Sequence, residues 1–159
     1  MSRSKILIIN GPGLSDLSVH NEIAYDGLSL SSIEQKCIET SERFDLDVDF
    51  RQNDNVSELL SALIIDINNF DAFIINPAGS SKSSSIDYEA FSKALNKITN
   101  QSKPVIEVRI ENIFKQEDTK PLKASDSGVG LISGLGDQGY ILAIESINQK
   151  ILSNRWIFT

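Results

Sequence analysis

Five short apolar runs, each closed by a polar or glycine-bearing turn, alternate along the chain with four stretches of helical period. Residues 6–9 are continuously apolar and stop at Asn10-Gly11-Pro12-Gly13, the pattern of a strand buried on both faces. Leu46, Val48 and Phe50 alternate with acidic residues, which predicts a strand with one polar face near the sheet edge. Residues 72–75, 105–109 and 129–132 predict the third, fourth and fifth strands. Between them, Ser31 and Glu34 fit a capping box that opens a helix with Ile33, Cys37, Ile38 and Phe44 on one face. Leu59, Leu60, Leu63, Ile64 and Ile67 make a second helical stripe. Ile86, Ala90, Phe91, Ala94, Leu95 and Ile98 make a third, and Tyr140, Ile141, Ile144, Ile147 and Ile151 a fourth. Residues 14–28 and 110–127 lack either period, and long loops inside a domain are usually lids or binding loops.

Strands alternating with helices predict an α/β domain with one parallel sheet covered on both faces. Right-handed crossovers narrow this to a flavodoxin-like, three-layer, doubly wound five-stranded sheet. The expected single domain spans residues 1–152. A tail at 153–159 carries Trp156, Ile157 and Phe158, which would dock on the body or on a neighbouring subunit.

Composition narrows the partners. A chain of 159 residues with net charge −7 is a poor match for phosphate backbones or an anionic membrane surface. One cysteine, Cys37, allows no internal disulfide and is expected as a small buried residue in a reducing compartment. The apolar run at the amino end is too short for a signal peptide and no stretch would span a bilayer, so a cytoplasmic soluble protein is expected.

Candidate chemistry gathers where the third strand empties into a polar turn. Phe73-Ile74-Ile75 stop at Asn76-Pro77, and a Gly/Ser-rich turn with Lys82 leads into a helix. Loops at the carboxyl ends of strands line the ligand crevice of such a sheet, and a helix N-terminus adds positive potential. The plainer alternative is an ordinary turn with Ser85 as helix cap. Asn10-Gly11, Gln52-Asn53, Asn76-Pro77 and Arg109-Ile110 should all meet in that crevice. GSSKSSS lacks phosphate-loop glycine spacing, and one histidine with one cysteine is a thin basis for a metal site, so neither cofactor nor metal is expected.

The segments ILIINGPG, Tyr25-Asp26-Gly27, FRQNDN, INPAGSSKSS, PVIEVRIENI and GVGLISGLGDQGYILAIESI resemble, in order and spacing, the type II 3-dehydroquinate dehydratases. The resemblance runs from about Lys5 to Ile151. It implies a shikimate-pathway lyase with a small-molecule substrate, built as a trimer and usually as a dodecamer of four trimers. It also implies that Tyr25 is the base that takes a proton next to a ketone. Several family positions are rewritten. His20 stands where the family has an arginine that keeps the tyrosine anionic, and Gly13 replaces a side-chain amide. Lys82 replaces a substrate-contacting histidine, and Arg109 replaces the histidine that protonates the departing hydroxyl. Arginine is effectively always charged and a poor proton donor. Glu111 replaces a carboxylate-binding serine, while Asn76 and Glu107 are retained. Lys120 aligns roughly with a substrate-binding arginine. Tyr25, Lys82, Arg109, Glu107 and His20 are thus the expected catalytic set, with Asn76, Ala78, Ile110, Glu111 and Lys120 expected around the substrate.

Three functions follow from this pattern. One is a dehydroquinase-like lyase with changed substrate or reaction, acting on a small cyclic polyol or keto acid. Another is an unaltered 3-dehydroquinate dehydratase, and the last is an inactive oligomeric binding homologue. The retained polar character of His20, Lys82, Arg109 and Glu111 favours the first; solvated loop residues in a dead site are the bland alternative.

Overall fold

The sheet is wholly parallel and its strands stand in the order β2-β1-β3-β4-β5. These are β1 (Lys5–Asn10), β2 (Asp47–Gln52), β3 (Ala72–Asn76), β4 (Val105–Arg109) and β5 (Gly130–Ser133). The structure is a computed structural model and describes residues 3–13, 28–78, 86–115, 121–122 and 129–158. Among the described residues, α1 (Leu30–Arg43), α2 (Val56–Asp66) and α3 (Ile86–Thr99) fill the first three connections, and α4 (Gln138–Phe158) follows β5.

Continuous apolar runs form the centre. Every residue of β3 is buried, as is β1 beyond its first residue, because strands with helices on both faces have no solvated side. One core layer joins Leu7, Ile9, Phe73 and Ile75 to Leu59 and Leu63 of α2 and Phe91 and Leu95 of α3. The other joins Ile6, Ile8, Ile74 and Val108 to Ile33 and Cys37 of α1 and Ala143, Ile144 and Ile147 of α4. This is the doubly wound, flavodoxin-like arrangement expected from the pattern. The alternating strand β2 is half-buried throughout and forms one edge of the sheet, as its polar face predicts.

Three local expectations change. Helix α1 is capped by Ser29 rather than Ser31: Ser29 Oγ accepts the Ser32 N–H at 3.1 Å, and Ser32 Oγ accepts the Ser29 N–H at 3.0 Å. Starting at Leu30 lets Leu28 and Leu30 pack against the core, which tips the choice among neighbouring serines. Ile38 and Ile64, read as core-facing, are exposed. Helix α4 runs on to Phe158, so the segment beginning at Ser153 is helical backbone. Among the described residues, no helix is long and apolar enough to cross a membrane.

Strand order reverses at β1: the chain moves from β1 to β2 on one side, then crosses back to β3 on the other. Loops leaving β1 and β3 therefore part on opposite faces, opening a crevice outside their carboxyl ends. That switch point positions the site.

Candidate active site

At the switch point the backbones of the first and third loops press together. Gly11 N donates to Asn76 O at 2.8 Å. A Cβ on Gly11 would lie 2.5 Å from the Pro77 carbonyl oxygen, so only glycine fits. Gly11→Ala must push one loop off the other and is expected to cost about 1–3 kcal/mol. Urea melts of the variant and wild type check this, and unchanged stability would mean the loops separate freely. Gly13 is different: nothing crowds it, but its φ of +92° is one that side chains rarely adopt. A side chain placed there would be strained by the backbone despite the open space.

The floor of the crevice is polar and buried. Asn10, last in β1, and Asn76, last in β3, are almost wholly buried and bracket the Tyr140 hydroxyl of α4. Tyr140 Oη donates to Asn10 Oδ1 at 2.6 Å and accepts from Asn76 Nδ2 at 2.9 Å. Asn10 Nδ2 donates to the Arg51 carbonyl at 3.0 Å, reaching β2. On the other side, Asn76 Oδ1 accepts the Ala78 N–H at 3.0 Å, and Ala78 turns the chain with φ +49°.

Strand β4 supplies the charges. Arg109, 8% exposed, donates from Nη2 to the Ala78 carbonyl at 3.1 Å. Its Nη1 lies 3.6 Å from Glu107 Oε2, an ion pair longer than a hydrogen bond. Glu107 is 1% exposed and its Oε1 accepts the Leu122 N–H at 2.8 Å. Burial pushes the Glu107 carboxyl above its ordinary 4.5, a rise that the Leu122 N–H and Arg109 oppose. Beyond β4, Ile110 is buried and Glu111 half-buried, and the Glu111 carbonyl accepts from Ser133 Oγ at 3.0 Å.

The structure thus brings together Asn76, Ala78, Glu107 and Arg109, with Ile110 and Glu111 following directly. Tyr25, His20, Lys82 and Lys120 lie outside the described residues, as does Ser85. Two buried tyrosines escaped the pattern: the ring of Tyr140 reads as core, and Tyr88 of α3 falls outside the apolar stripe read for its helix. The Tyr88 hydroxyl donates to the Pro121 carbonyl at 2.8 Å. Burial, then the charges of Glu89 and Glu107, push the Tyr88 phenol upward and keep it protonated. Among the described residues, no three His, Cys, Asp or Glu side chains gather as metal ligands.

Chemically, this is a crevice with a fixed guanidinium on its floor, braced by a buried carboxylate and a loop carbonyl. The fold is of the doubly wound α/β class, in which ligands bind at the point where strand order reverses. The chain belongs to the class II dehydroquinase family, whose pattern it matches over residues 4–148. The 3-dehydroquinate dehydratase of Clostridium botulinum strain Hall is 32% identical over 154 residues, covering 96% of this chain and 99% of that one. Among solved structures, the type II dehydroquinase of Butyrivibrio crossotus superposes with a TM-score of 0.80 at 26% identity. That of Propionibacterium acnes gives 0.79 at 28%; each match covers 93% of this chain and 99% of the other.

Proposed function

We propose that the protein is a dehydroquinase-like carbon–oxygen lyase whose substrate or reaction differs from that of its named relatives. It acts on a small cyclic polyol or keto acid by removing a proton next to a carbonyl. Arg109 carries this proposal. The group braced between Glu107 and Ala78 is a permanent cation where the family resemblance calls for a proton-donating histidine.

In this mechanism Tyr25, as phenolate, takes the proton. The C–H electron pair becomes the enolate double bond and negative charge passes to the carbonyl oxygen. Collapse of the enolate expels the β-hydroxyl, which takes a proton from Lys82 and leaves as water. Of three tyrosines in the chain, Tyr88 and Tyr140 are buried with engaged hydroxyls, which supports Tyr25 as the base. Lys82 and Arg109 favour the phenolate as nearby cations, a task shared with His20. Asn76, Ala78, Ile110 and Lys120 border the substrate. Glu111 selects a hydroxyl or amine where dehydroquinate carries its carboxylate, since two facing carboxylates repel. A trimer-based dodecamer in the cytoplasm goes with this proposal.

A second function, 3-dehydroquinate dehydratase of the shikimate pathway, is favoured by near-complete coverage of relatives bearing that name. Dehydration of 3-dehydroquinate, followed by enone absorbance at high protein concentration, separates the two. Turnover of about 1–10³ s⁻¹ would establish the second function and show that the rewritten groups replace the histidines. No turnover on it, with enone formed from another cyclic polyol or keto acid, is the result expected of the first.

A further inference from the structure

We propose that Tyr140 is a positioning residue that holds the Arg109 guanidinium in place through a chain of buried hydrogen bonds. The proposal rests on the crevice being the site described above. Its basis is the direction of each bond. A tyrosine hydroxyl has one proton, and Tyr140 gives it to Asn10 Oδ1 at 2.6 Å. Toward Asn76 it therefore accepts, at 2.9 Å from Nδ2. That fixes which way the Asn76 amide points: nitrogen to Tyr140, oxygen to the Ala78 N–H. With the amide reversed, its NH₂ would face the Ala78 N–H, and its oxygen would face a hydroxyl whose proton is already used.

The sense of that amide in turn sets the turn at Ala78, held at φ +49° where alanine does not go unaided. The Ala78 carbonyl so placed receives Arg109 Nη2 at 3.1 Å. The chain of contacts runs from Arg51 in β2 through Asn10, Tyr140, Asn76 and Ala78 to Arg109, then by ion pair to Glu107 and on to Leu122. It crosses the carboxyl ends of four strands, and Tyr140 is its link to α4. Low local polarity strengthens each member and raises the cost of breaking one.

The test is Tyr140→Phe, which keeps the ring and deletes the hydroxyl. The readout is the side-chain Nε–Hε NMR signal of Arg109, with Ile98→Val as a core control on the far face of the sheet. The expected result is a displaced Arg109 signal in Tyr140→Phe and an undisplaced one in the control. A folding constant about ten- to a hundredfold lower accompanies it, because two buried amide groups lose their partner. An Arg109 signal no more displaced than in the control overturns the proposal, however much stability is lost. Should Tyr140→Phe fail to fold, the wild-type protein decides. A slowly exchanging Tyr140 hydroxyl proton with a cross-peak to the Asn76 side-chain amide is expected, and a freely exchanging one overturns the chain of contacts. Neither readout uses a substrate. An inactive wild type would withdraw the crevice as catalytic site, and an unmoved Arg109 signal would withdraw the role of Tyr140.

Discussion

Arg109→Met is expected to cost about 3–5 kcal/mol of folding stability, more than any loop substitution around it. The guanidinium and the Glu107 carboxylate are both buried, at 10% and 1% side-chain exposure, so solvent does little to screen either. Removing the cation leaves a carboxylate whose remaining described partner is the Leu122 N–H. Replacing both members, in Glu107→Gln with Arg109→Met, should recover much of the loss, because no charge then stays buried. The pH dependence gives a sharper check. Glu107 has its folded-state pKa raised from 4.5 chiefly by burial. A raised carboxyl contributes stability that is fully present below 4.5 and is lost as pH rises through the folded value. Without Arg109 the folded value climbs further, so the deficit of Arg109→Met should be small in acid and grow above pH 4.5. Urea melts across that range read it directly. A deficit independent of pH would show that the charges are not coupled.

The largest kinetic effect is expected from Tyr25→Phe. The variant keeps the ring and loses the oxygen proposed to take the proton, so turnover should fall by about 10²–10⁴-fold on whichever substrate the enzyme accepts. Binding rests on other groups, so KM should change far less than kcat. The rising limb of rate against pH belongs to the group that must lose its proton first. It should disappear in Tyr25→Phe and survive in Lys82→Met. A variant that retains most of its turnover, with the limb intact, would remove the tyrosine from the mechanism.

Much of the fold is legible in the order of residues. Apolar runs at β1 and β3 announce a buried parallel centre because burial on both faces leaves no polar positions. Alternation in β2 announces an edge. Glu107 and Arg109 can be expected side by side because alternate residues of one strand share a face. Other features leave no local trace. The choice of Ser29 over Ser31 as cap depends on where Leu28 and Leu30 find a core. Tyr140 sits on an apolar stripe and reads as packing; its hydroxyl matters only because two asparagines on distant strands converge on it. Nor does alanine advertise the left-handed turn at residue 78.

That convergence bears on how the molecule comes to be assembled. Tyr140 and Asn10 are separated by 130 residues of chain, so their contact ties together distant parts of the sequence. During synthesis, β1, β2 and β3 leave the ribosome before α4, so Asn10 Oδ1 and Asn76 Nδ2 await the Tyr140 hydroxyl. Docking of α4 therefore completes the hydrogen bonding of both amides. Native-state hydrogen exchange should find the Gly11 amide and the first turns of α4 exposed in one cooperative step, while the paired amides between β1 and β3 stay protected longer.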